Sequence, residues 1–193
     1  MTSILEVEQL DTLSSNASST LTIGGTNTTT IAFGPNVTTT PSSLKNKYPF
    51  KAVLSSDQTG INHDSFTKVS LASKSFDPDS KFDTSNYRYI PAETGYYYLT
   101  GSIGLEKVLY NFRRVGVAIY KNGSEQAFNW IRLSGSSDII EEQYISVSIL
   151  DYSSSTSDYY ELYVYQNNAS GGNSGSLKSS TARTYFTGFK LIQ

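Results

Sequence analysis

The chain has 193 residues, no cysteine and a formal net charge of -2. It can form no disulfide and no zinc–thiolate site, so its stability must come from core burial or oligomerisation. That charge argues against a duplex-coating basic surface while leaving room for a local basic patch, and nowhere do about 18 apolar residues run together to span a bilayer.

Met1 leads into Thr2-Ser3-Ile4-Leu5-Glu6, with Glu8 and Asp11 close behind. This lacks the basic start and unbroken apolar run of a secretory signal. Residues 1–46 are polar and monotonous. Ile4, Val7, Leu10 and Leu13 recur every three residues, which matches a helical seam poorly. Leu21 and Ile23 alternate with threonines, as do Ile31 and Phe33 after a Gly-Gly-Thr-Asn turn. These are short β pieces with one apolar face each. A single copy has too few large apolar residues to offset the entropy of ordering. Three copies wound together would bury the apolar rows against one another. The alternative is a Ser/Thr-rich linker.

Residues 47–193 read as an all-β head. The chain's 15 tyrosines, nine phenylalanines and one tryptophan favour strands and contact surfaces over helices. Phe50 to Leu54 predicts a first strand and Lys68 to Leu71 another. Pro91 ends a strand at Arg88-Tyr89-Ile90, and Gly95 opens the next after Ala92-Glu93-Thr94. Along that strand Tyr97 and Leu99 face one side, and Tyr96 and Tyr98 the other. Val115, Val117 and Ile119 share a face, Lys121-Asn122-Gly123-Ser124 makes a hairpin turn, and Ala127 to Leu133 returns. Ile145, Val147 and Ile149 alternate with serines, Tyr160, Leu162 and Val164 with Glu161 and Tyr163, and Thr184 to Ile192 closes the chain. Such a series with no helical segment predicts a sandwich or barrel.

Catalytic residue types are scarce. His63, the only histidine, reads as an exposed turn residue, because no nucleophile-elbow motif accompanies it. Asp77, Asp79 and Asp83 could gather around calcium, but Pro78 and the absence of loop spacing favour an ordinary turn. Asp138, Glu141 and Glu142 are poorly placed for sugar hydrolysis, since neighbouring strand residues point to opposite faces. Gly171-Gly172-Asn173-Ser174-Gly175 lacks the Lys-Ser/Thr of a phosphate cradle and reads as a loop. Arg113 and Arg114 stand beside Tyr110 and Phe112, a basic–aromatic cluster able to hold a sugar or an acidic partner. The plainer alternative is one arginine turned inward to a carboxylate and one outward.

The order of the strand motifs resembles the globular head shared by the complement first-component and tumour necrosis factor families. Phe50-Lys51-Ala52 matches the opening strand, followed by Lys68-Val69, Phe76-Asp77 and Phe82-Asp83. Tyr89, Pro91, Gly95 and Tyr97 match the proline turn with one extra residue, and Ile119 to Gly123 matches the Lys-Asn-Gly strand end. Phe186-Thr187-Gly188-Phe189 matches the closing motif. A Leu-x-x-Gly-Asp turn is replaced by Leu150-Asp151-Tyr152-Ser153. The resemblance implies a ten-stranded jelly-roll β-sandwich that trimerises through aromatic faces. Tyr96, Tyr97, Tyr98, Phe186 and Phe189 become the core and trimer scaffold.

The arm is similar to the repetitive shafts of virus and phage fibres. Together these features predict a homotrimeric fibre or spike head on the virion surface, joined to the virion by its arm. It would bind a host glycan or protein receptor, with no enzymatic activity, cofactor, nucleic acid or membrane insertion. Candidate contact residues are Tyr110, Arg113, Arg114, Tyr152, Asn168 and Asn173, with the loops Ser153–Asp158 and Asn168–Ser176. The alternative is a secreted cellular signalling or pattern-recognition ligand.

Overall fold

The computed structural model describes residues 46–106, 112–133, 142–169, 171–173 and 175–192. All lie in the compact unit Pro41–Gln193. The arm expected over 1–46 lies outside the described residues except for Asn46, as do Tyr110, Asp138 and Glu141.

The described residues contain strands and turns and no helix. In chain order the strands are β1 (Lys47–Val53), β2 (Gln58–Thr59), β3 (Ser65–Lys68), β4 (Ser73–Phe76), β5 (Phe82–Asp83), β6 (Arg88–Tyr89), β7 (Gly95–Glu106), β8 (Phe112–Lys121), β9 (Ser124–Arg132), β10 (Glu142–Ser153), β11 (Tyr160–Asn168), β12 (Ser176–Leu177) and β13 (Tyr185–Lys190). The long strands fall where alternation predicts them. β2, β5, β6 and β12 are only two residues long, too short to show a period. The strand expected over Lys68 to Leu71 is displaced: β3 ends at Lys68, and Val69 and Leu71 are buried in an irregular segment. There Val69 N donates to Leu162 O at 2.9 Å.

One antiparallel sheet centres on β7. β10 pairs along its whole length, from Glu142 opposite Glu106 to Ser153 opposite Gly95. The other edge of β7 is shared by β13 and β12. β1 then pairs with β13, β4 with β1, and β2 with β12. The second sheet has the order β5-β6-β11-β8-β9.

The core lies between the sheets and follows from alternation. Tyr97, Leu99, Ile103 and Leu105 point inward from β7, Val115, Val117 and Ile119 from β8, and Leu162 and Val164 from β11. At one end Phe50 stacks on Tyr89 at 4.1 Å and meets Phe186 edge-on at 5.3 Å. Each such residue contributes roughly 1.5–3 kcal/mol by leaving water. Two glycines allow the close fit. A Cβ on Gly101 would lie 2.1 Å from Leu162 Cδ1, and one on Gly188 2.6 Å from Tyr98 O.

The proline turn is an anchor. Gly95 has φ 140°, so the position favours glycine. Tyr97 Oη donates to Glu93 O at 2.8 Å. The Glu93 carboxylate accepts from Lys190 Nζ at 2.6 Å, Tyr48 Oη at 2.7 Å and Lys47 Nζ at 3.2 Å. One turn residue thus fastens the first and last strands. These bonds, led by that from Lys190, hold the Glu93 carboxyl down to about 2. At the β8–β9 hairpin Asn122 and Gly123 take φ 51° and 79°, as their sequence predicts.

Candidate functional site

The two outer faces of the sandwich differ. On the β7 sheet, Tyr96 and Tyr98 alternate with buried Tyr97. Tyr152 and Leu150 of β10 stand directly opposite them. The exposures are 45% for Tyr96, 41% for Tyr98, 56% for Leu150 and 47% for Tyr152. Tyr96 and Tyr152 meet edge-on at 5.1 Å, and Phe189 of β13 lies 5.9 Å from Tyr98. Tyr144, further along β10, is also exposed. The residues that continue this same face, Thr100, Ser146 and Ser148, are small and uncharged. The structure thus sorts the expected scaffold: Tyr97 and Phe186 are fully buried, whereas Tyr96, Tyr98 and Phe189 face outward. Tyr152, expected in a loop contact, is a strand residue of this aromatic band.

The opposite outer face carries a cleft of about 330 Å³ lined by Phe66, Arg114, Phe128, Trp130 and Tyr165. Its walls come from β3, β8, β9 and β11. Phe66 packs against Phe128 at 5.3 Å and Tyr165 at 5.5 Å. Gly116 of β8 makes room for the floor, since a Cβ there would lie 2.5 Å from Phe128 Cε2. Arg114 lies over the Trp130 ring at 5.3 Å. Directly opposite Arg114 in the β8–β9 register stands Arg132. At the rim the Tyr165 hydroxyl and Asn167 Nδ2 donate to Asp64 Oδ1. These bonds hold the Asp64 carboxyl below its usual range, and the Tyr165 phenol is pushed up in turn.

Arg114 is therefore a lining residue, but its aromatic partner is Trp130. Phe112, expected beside it, is buried in the core. Both arginines are exposed, so neither turns inward to a carboxylate. Arg113 falls at a register irregularity, between Phe112 opposite Asn168 and Arg114 opposite Asn167. The missed residues were Phe66, Phe128, Trp130, Arg132, Tyr165 and Asp64. The alternation Phe128-x-Trp130-x-Arg132 was the available signal, because it puts three large side chains on one solvent-facing row.

The remaining candidates are largely structural. Asn168 is 2% exposed, and its side chain donates to Gly172 O at 2.6 Å and accepts from Gly171 N at 3.0 Å. It braces its loop from inside rather than presenting its side chain to solvent. Asn173 is exposed and accepts from His63 N at 3.0 Å. His63 is half-buried, and its Nδ1 accepts from Asn168 N at 3.3 Å, which corrects the exposed-turn expectation. Asp77 caps its own turn through Lys81 N and Phe82 N, and Asp83 does so through Ser85 N and Asn86 N. Glu142 pairs with Arg183 at 2.6 Å. The Ser153–Asp158 loop is tied at its base, where Asp158 accepts from Asn122 Nδ2 at 2.9 Å and Ser153 Oγ at 3.0 Å. This capped loop replaces the expected Gly-Asp turn. Among the described residues no cluster of three or more His, Asp or Glu could hold a metal ion.

No family model matches the chain. No curated protein matches it either. Solved structures do match, the following at low identity. A chain titled Eiger TNF from S. frugiperda aligns with TM-score 0.57 at 9% identity, over 76% of this chain and 92% of that one. Murine APRIL at pH 5.0 aligns with TM-score 0.55 at 12% identity, over 76% of this chain and 100% of its own. The globular domain of zebrafish complement 1qA aligns with TM-score 0.52 at 11% identity, over 76% and 98%. At such identities the likeness speaks of fold alone. The chain has the two-sheet jelly-roll sandwich fold of these tumour necrosis factor-like and complement heads.

Proposed function

We propose that the chain is the homotrimeric head of a virus or phage fibre, carried at the virion surface, which attaches to a glycan or glycoprotein receptor on a host cell. It acts by binding, without catalysis or cofactor. The carrying observation is the aromatic band on the outer face of the β7 sheet. Tyr96, Tyr98, Tyr144, Leu150 and Tyr152 are each exposed by 41% or more. A contiguous patch of this kind is expected of an interface, and tyrosine-rich, charge-poor composition suits its centre. Three copies packed through this face would leave the opposite faces outward, and three binding sites would make modest single-site affinity sufficient. The fibre reading comes from residues 1–46, whose Leu/Ile–Thr alternation suits a shaft and whose residues include no collagen-like Gly-x-y run.

The test is the mass of the intact chain by light scattering at micromolar concentration. The expected value is three times the 21.2 kDa of one chain; a monomer overturns the proposal. A second reading, a secreted cellular ligand, is favoured by the tumour necrosis factor and complement identities of the structural neighbours. Capsid or tail genes beside this one in its genome would support the fibre head. A collagen-like stalk encoded upstream would support the ligand.

A further inference from the structure

The cleft on the second sheet departs from what solvent requires. The outer face of an antiparallel sheet is expected to be polar, yet Phe66, Phe128, Trp130 and Tyr165 gather there. Phe128 and Trp130 remain 37% and 46% exposed. Small residues stand opposite them on β8: Ala118 faces Phe128 and Gly116 faces Trp130. The result is a trough with flat aromatic walls.

Its charge is also unexpected. Arg114 and Arg132 are directly paired across β8 and β9, a like-charge arrangement that costs stability. Neither enters an ion pair among the described residues, whereas Arg88 and Arg183 both do. Among the described residues Asp64 is the carboxylate that senses Arg114, so two guanidiniums share one acidic group and leave room for a second anion. Guanidinium forks match a carboxylate geometrically. Beside this basic pair, on β11, Asn167 stands directly across from Arg114 and joins Asp64 and the Tyr165 hydroxyl in a fixed polar rim suited to hydroxyl groups.

We propose that this cleft binds the carboxylate-bearing pyranose of an acidic glycan. The sugar's C–H face rests on Trp130 and Phe128, its carboxylate faces Arg114 and Arg132, and its hydroxyls meet the Asp64–Asn167 rim. A volume of about 330 Å³ is at the small end for ligand sites and suits one sugar ring. An acidic peptide fits less well, because it needs a longer groove than this one-ring cleft. The proposal rests on the reading of the head as a receptor-binding module and names its ligand. It needs no trimer, because every lining residue comes from one chain.

Trp130 is the only tryptophan in the sequence, so its emission reports directly on the cleft. The intact chain is titrated with sialyllactose and with a glucuronic acid-terminated disaccharide. Lactose, sulfated lactose and a glutamate-rich peptide serve as comparisons. The expected result is a saturable change with at least one carboxylate sugar and none with lactose at ten times that concentration. Arg114→Gln and Arg132→Gln each weaken binding by about tenfold or more at unchanged melting temperature. Trp130→Phe retains more binding than Trp130→Ala, read from the ligand's own proton resonances. An equal response to lactose, sulfated lactose or the peptide overturns the proposal, as does no response or an unaffected Arg114→Gln. A glycan array of the intact oligomer separates the two readings. Glycan binding that survives Arg114→Gln/Arg132→Gln overturns this site and leaves receptor attachment standing. Loss of all glycan and cell binding by the unaltered protein overturns both.

Discussion

The rings of Tyr96 and Tyr152 meet edge-on at 5.1 Å across the β7–β10 pair, with both side chains nearly half exposed. Within one chain this contact covers only part of each ring. Stacking a second chain over Tyr96, Tyr152, Tyr98 and Leu150 would remove the remainder from water. Replacing Tyr152 or Leu150 with Glu places a charge at the centre of that face. The expected outcome is a monomer by light scattering with an unchanged far-ultraviolet circular dichroism spectrum. Lys51→Glu at the far side of the sheet should leave the oligomer intact.

Gly188 is closed off by backbone, since an added Cβ would meet Tyr98 O at 2.6 Å and Leu99 Cδ2 at 2.5 Å. A carbonyl in a paired strand cannot move aside cheaply. Gly188→Ala should therefore destabilise by about 2 kcal/mol or more in urea unfolding. Gly116→Ala meets chiefly the half-exposed Phe128 ring, which can swing outward, with Asn129 O farther off at 3.2 Å. Its cost should be smaller, about 1 kcal/mol, with a shift of Trp130 emission as the cleft changes shape.

Lys121 Nζ donates to Asp151 Oδ2 at 2.8 Å and Tyr152 O at 2.6 Å, and lies 3.6 Å from Asp158. It joins the hairpin end to the loop after β10. Lys121→Met leaves two poorly exposed carboxylates without their cation. The expected loss is about 3 kcal/mol in denaturant unfolding, with earlier proteolysis in the Ser153–Asp158 loop.

Glu93 gives the fold a defined acid sensitivity. Its carboxyl is held near 2 in the folded chain against 4.5 ordinarily. A depressed carboxyl contributes stability above its unfolded value and loses it as pH falls through the folded one. The wild-type chain should melt higher than Glu93→Gln at pH 7. That gap should narrow from about pH 4.5 and vanish near pH 2. It should be modest and shrink in high salt, because the carboxylate is partly exposed.

Local chemistry made much of the scaffold legible. Alternation located the long strands, Asn122-Gly123 announced its turn, and Pro91 with Gly95 marked the boundary before β7. These signals work because strand period and backbone φ preference act over a few residues. The same alternation separated Tyr97 from Tyr96 and Tyr98 before any partner strand was known.

The binding surfaces depended on which strands became neighbours. Arg114 gains its character from Trp130, Arg132 and Tyr165, which lie on other strands and are brought together by the β9-β8-β11 order. Asn168 looked like a loop tip, yet its buried hydrogen bonds to Gly171 and Gly172 make it a brace. Glu93 stands in the sequence only as one of the residues between Pro91 and Gly95, whereas in the fold β1 and β13 deliver two lysines and a tyrosine to it. Side-chain direction along a strand is a local property written in the residue order. Contact across strands is set by register and sheet order, which only the folded chain decides.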